Sequence, residues 1–148
     1  MAARVAAEDR RVLGVALIAP WDISYDARAW KALSANQRAT TATEAFDDVD
    51  GRLSGATAGS LMDELLREGP ALNLTALGAA LSAYRVLLVT ATHDDPDDQA
   101  TGLKAVIARH RHGTFEAHVM ATDHAFNDPR IALETAMLNW LSRLPGAP

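Results

Sequence analysis

The chain contains no cysteine. Disulfides, thiolate nucleophiles and zinc-thiolate sites are therefore excluded. The absence fits a reducing compartment, and the cytoplasm is the expected location. No apolar run approaches the roughly 20 residues of a membrane span, so a membrane is not an expected partner. The opening MAARVAAEDRR lacks the continuous apolar region of a signal peptide. Nor is there a basic excess. The formal net charge is -5, and no cluster of Lys and Arg is present to neutralise phosphates, so nucleic acid is not expected as a partner either. No internal repeat is visible.

What is present suits a folded domain. The 148 residues are 49% hydrophobic, enough for a real core and too apolar for a disordered chain. Alanine is abundant and favours helix. AARVAAED reads as helix. VALIA, residues 15 to 19, is a continuous apolar run ended by Pro20, the pattern of a strand buried on both faces of a parallel sheet.

Residues 21 to 80 change character and read as a set of short helices. Ala42, Ala45, Phe46, Val49 and Leu53 fall at helical spacing, with Thr41 and Glu44 as a capping box. Leu61, Met62, Leu65 and Leu66 form a second stripe that REGP ends, and Leu74, Leu77 and Leu81 form a third.

Beyond residue 80 the order becomes strand, helix, strand, helix. Val86 to Val89 is an apolar strand. Asp95 suits a helix N-cap, Pro96 the first helical position, and Asp97 and Asp98 the dipole of the first turn. Leu103, Val106 and Ile107 give that helix one apolar face. GTFEAHVMA, residues 113 to 121, is a third strand. After ATDHAF, Asn127 or Asp128 is the expected N-cap and Pro129 the first residue of a helix reaching about Leu144. The fold class is α/β, with about three parallel strands flanked by helices.

In such sheets ligands bind beyond the carboxyl ends of the strands. Asp94 and His124 each stand just past such an end, one strand-helix-strand unit apart, and parallel neighbours would bring both loops to the same rim. A carboxylate accepting one ring N–H would leave the other ring nitrogen as a general base. The plainer reading makes His124 a loop residue ahead of a helix and Asp94 an acidic residue of a helix start. Asp95 has a capping role that Asp94 lacks. Asp123 is a rival acid, but as the immediate neighbour of His124 it should point elsewhere. No metal is expected: DDPDD lacks the D-x-D-x-D-G pattern of a calcium loop, and no third ligand accompanies His93, His110, His112 or His118.

RVLLVTATHDD, the helix after it and TFEAHVMATDHAFNDPRIALETAMLNWL together resemble the C-terminal end of α/β-hydrolases. That family's acid follows a strand like VLLVxGxxD, and its histidine stands in a DHxF context before the last helix. The resemblance implies Asp94 as triad acid and His124 as triad base. Ala91 stands where the family usually has glycine. AARVAAEDRRVLGVALIAPWDIS is similar to the tail of the helix after the nucleophile and the next strand. Residues 21 to 80 then sit where a helical cap is inserted, with Trp21, Trp30 and Phe46 as candidate pocket walls. The expected organisation is a half-hydrolase core of residues 1–20 and 81–148 around a cap-like segment 21–80.

The departure is the nucleophile. The family carries it in G-x-S-x-G, and this chain has no such motif. Its serines are Ser24, Ser34, Ser54, Ser60, Ser82 and Ser142. Met1 would stand just beyond the missing serine. The resemblance implies hydrolysis of a small-molecule ester, amide or related acyl substrate, without a cofactor, once an N-terminal hydrolase fragment completes the site. A homo-oligomer through the open sheet edge is the other expected assembly. A non-catalytic assembly or ligand-binding module and an unrelated small α/β protein are the alternatives.

Overall fold

Two parallel strand pairings define the sheet. The computed structural model describes residues 2–47, 53–93, 99–110 and 113–146. Strands β1 (Gly14–Ile18), β2 (Arg85–Ala91) and β3 (Phe115–Met120) lie in the order β1-β2-β3. Val15 is opposite Val86, and Val86 is opposite Phe115. Around them the described residues form helices α1 (Ala2–Glu8), α2 (Ile23–Lys31), α3 (Ala35–Ala45), α4 (Ala58–Glu68), α5 (Leu74–Leu81), α6 (Gln99–His110) and α7 (Arg130–Leu141). The protein is thus an α/β protein with a three-stranded parallel sheet. No described helix is long and apolar enough to cross a membrane.

The chain divides into two compact units, Met1–Trp21 with Leu74–Pro148, and Asp22–Asn73. In the first, β2 is the central strand. Val86, Leu87, Leu88 and Val89 are all fully buried, and each contributes about 2 kcal/mol by leaving water. Alternate residues serve opposite faces. Val86 and Leu88 pack with Val15 and Leu17 of β1 against α1, α5 and α6. Leu87 and Val89 pack with Phe126 and Trp140 on the other face, where Leu133, Met137 and Leu144 join them. Helix α5 packs on α1 and α6 and so belongs to the sheet unit.

The second unit is helical. Asp22 caps α2, its Oδ1 accepting hydrogen bonds from Ser24 N at 3.1 Å and Ser24 Oγ at 2.6 Å. Capping boxes start α3 (Ser34 with Gln37) and α4 (Thr57 with Ser60). This corrects the expected box at Thr41 and Glu44, which lies inside α3. SANQ upstream already satisfies the free N–H groups of the helix start, and no breaker separates it from Thr41. Helix α7 differs in a similar way. Pro129 takes the N-cap position rather than the first helical one, with no side-chain cap. The Oδ1 of Asn127 instead accepts from Arg130 Nη2 at 2.9 Å. The expected cap at Asp95 lies outside the described residues.

The two sheet edges differ in kind. β3 carries Glu116, whose carboxylate is 2.8 Å from Arg143 Nη2 and 3.6 Å from Arg85 Nη1. A charge on an edge strand discourages further pairing. β1 reads Gly-Val-Ala-Leu-Ile and has no such guard. Glu116→Val should therefore open an association edge at β3. Sedimentation at increasing concentration would show a larger apparent mass for the variant than for the parent chain.

Candidate functional site

The carboxyl ends of β2 and β3 are tied together by backbone hydrogen bonds. Thr92 N donates to Met120 O at 2.9 Å, and His93 N donates to Thr122 O at 3.1 Å. The Met120 carbonyl also accepts from Thr122 N at 3.0 Å. The loop entering residue 94 and the loop carrying His124 therefore leave the sheet side by side, as parallel pairing requires. Asp94 itself lies outside the described residues, as does the rest of the run DDPDD.

His124 is exposed and sits at the tip of a tight turn. Asp123 O accepts from Phe126 N at 3.2 Å, and Asp123 Oδ1 accepts from Ala125 N at 3.1 Å. The second bond is the local turn chemistry that aspartate favours. It engages the Asp123 carboxylate with the backbone, so the rival acid has a structural role here. The turn is flanked by two buried residues, Thr122 and Phe126.

The described non-glycine residues with positive φ are Ala19, at 40°, and Phe126, at 53°. Both follow the carboxyl end of a strand, Ala19 after β1 and Phe126 in the turn after β3. Strained backbone of this kind collects at functional rims when packing holds it in place.

Five of the six serines are engaged in local hydrogen bonds. Ser24 is fully buried and bound to Asp22. Ser34 and Ser60 are engaged in capping boxes. Ser82 Oγ donates to Ala79 O at 2.7 Å and Ser142 Oγ to Asn139 O at 3.0 Å. Ser54 is exposed in the helical unit.

Of the candidate pocket walls, Trp30 and Phe46 meet edge to face within the helical unit, with ring centroids 6.3 Å apart. Trp21 is exposed at the end of a segment of the sheet unit.

No family model, curated protein or solved structure matches this chain.

One feature beside His124 escaped the sequence reading. A groove of about 400 Å³ begins at Ala125 and Phe126 and runs along α7 past Arg130, Leu133, Glu134, Met137, Leu138 and Leu141. The helical residues recur at i, i+3, i+4, i+7, i+8 and i+11, a stripe visible in RIALETAMLNWL. Among the described residues no group of three metal-ligating side chains lies close enough to hold an ion.

Among the described residues, Thr122 Oγ1 and Trp140 Nε1 are buried with no hydrogen-bond partner. An orphaned hydroxyl in an apolar setting costs on the order of 1–3 kcal/mol. Thr122→Val keeps the shape and removes the orphan. It should raise stability by about 1 kcal/mol, read as a higher urea midpoint at unchanged slope.

Proposed function

We propose that this chain supplies the acid and base of a serine hydrolase, Asp94 and His124, and acts on an ester, amide or related acyl bond. The nucleophilic serine comes from a partner segment bearing G-x-S-x-G. The observation that carries the reading is the parallel pairing of β2 and β3, with His93 N bonded to Thr122 O. It joins at one rim the two loops in which a strand-acid-helix-strand-histidine order puts the acid and the base.

The chemistry follows from those roles. Asp94 accepts one imidazole N–H and fixes the tautomer. The other ring nitrogen of His124 takes the proton of the serine hydroxyl as its oxygen attacks the acyl carbon. The imidazolium then gives that proton to the leaving alcohol or amine as the acyl bond breaks. Water, deprotonated in the same way, releases the acid and restores the serine.

The unguarded edge of β1 is the docking place that suits the partner. Its residues serve both core clusters, Val15 and Leu17 one, Ala16 and Ile18 the other. A strand added there would be buried on both faces and would need an apolar sequence. The overlying helix points to the same side. Arg143, just beyond α7, reaches Glu116 of β3. Helix α7 itself carries Leu138 and Leu141, 58% and 42% exposed. A segment that pairs with β1 and lays a helix beside α7 would cover both. The absence of cysteine fits a cytoplasmic setting for this assembly.

The same α7 groove favours a second reading, a non-catalytic assembly or ligand-binding module built on a half-hydrolase fold. A p-nitrophenyl ester assay separates the two. Under the hydrolase reading the chain alone is inactive. It gains turnover when a hydrolase N-terminal half containing G-x-S-x-G is added in trans or fused ahead of it. Binding of that half without turnover would favour the module.

A further inference from the structure

We infer that Phe126 is a positioning residue for His124, a role that rests on His124 serving as the base. Phe126 takes φ of 53°, a region that glycine and asparagine enter readily and a bulky aromatic residue rarely does. Its ring is 3% exposed and belongs to the core cluster with Leu87, Val89 and Trp140. The burial of the ring offsets the backbone strain at that φ. The turn has the matching geometry. Asp123 O accepts from Phe126 N at 3.2 Å, which closes the turn directly over His124 and Ala125. At the other end Thr122, 1% exposed, is fixed by the bond from His93 N. His124 is thus an exposed tip suspended between two buried anchors. One of them, Thr122, ties it to the β2 loop; the other, Phe126, ties it to the core under α7.

The role differs from ordinary core packing in what its loss does. Phe126→Ala should release the tip while leaving the sheet in place. Phe126→Leu, which refills the socket, should restore it. The measurement is backbone 15N relaxation at residues 123–125 of the chain as it stands, alongside hydrogen exchange at Val86–Val89. The expected result is an order parameter near the rigid value of about 0.85 in the parent chain, below about 0.6 in Phe126→Ala, and recovered in Phe126→Leu. The β2 amides should stay protected in all three. Unchanged rigidity at residues 123–125 in Phe126→Ala overturns the inference. So does a loss of β2 protection as large as the loosening of the turn, which would make Phe126 a packing residue only. In a complemented enzyme Phe126→Ala should lower kcat at least tenfold with KM changed less than twofold. Absence of turnover in the complemented parent chain, with the relaxation result intact, would count against the hydrolase reading and leave the positioning of His124 standing.

Discussion

Gly113→Ala is expected to destabilise the sheet unit by about 3 kcal/mol, at the upper end of overpacking costs. A Cβ at residue 113 would collide with the Tyr84 carbonyl oxygen and crowd Ser82 O at 2.9 Å. These are backbone atoms and cannot rotate away as the end of a side chain would. The contact sits where β2 and β3 begin, next to the 2.7 Å bond from Val86 N to Thr114 O. That bond and the close approach at Gly113 set the register in which Val86 faces Phe115. The register in turn lets Thr92 N reach Met120 O and His93 N reach Thr122 O at the other end of the strands. A methyl group at residue 113 therefore acts on the candidate site through the full length of the sheet. Urea unfolding of the variant should show the lower midpoint, and the amides of Thr92 and His93 should lose exchange protection. A variant as stable as the parent chain would mean that the turn ahead of β3 shifts freely and does not set the register.

His124→Ala in a complemented enzyme is expected to lower kcat by a factor on the order of 10⁴ or more, because triad members act as a unit and loss of one forfeits most of the rate. Stability should change little, since His124 is exposed and surface substitutions usually fall within about 0.5 kcal/mol. Asp94→Asn should also cost several orders of magnitude, by favouring the wrong tautomer of the imidazole. Asp123→Asn should cost far less, because the Asp123 carboxylate is engaged with Ala125 N and an amide oxygen can accept the same bond. Steady-state kinetics of the three variants checks the assignment. A larger loss in Asp123→Asn than in Asp94→Asn would exchange their roles.

Much of the fold was legible in the residues. The runs around Val15 and Val86 are strands because each is short and continuously apolar, and the run at Phe115 follows the break at Gly113. Their parallel order follows from the helices between them. A change from continuous apolar runs to helical stripes was visible near residue 21. Start signals were less decisive. Thr41 with Glu44 and Ser34 with Gln37 both fit a capping-box pattern, and the one further upstream starts the helix because the chain has no reason to break between them. Pro129 shows the same ambiguity, since proline suits both the N-cap and the position after it. Phe126 was not legible as an anchor. Nothing in the letters DHAF calls for a left-handed residue, and tertiary burial accompanies the aromatic side chain there. Gly113 was equally silent, because its constraint is the distant carbonyl of Tyr84. The proposed pairing of Asp94 with His124 rests on chain order and on the joined ends of β2 and β3, since Asp94 lies outside the described residues.

The most direct measurement is labelling by a fluorophosphonate serine probe, followed by peptide mapping of the modified residue. The chain alone should show no modified serine. With a segment bearing G-x-S-x-G added, the serine of that segment should be labelled rapidly in the presence of the parent chain and orders of magnitude more slowly in the presence of His124→Ala. Labelling of Ser24, Ser34, Ser54, Ser60, Ser82 or Ser142 in the chain alone, or equal labelling rates with and without His124, would contradict a base prepared for a serine from outside this chain.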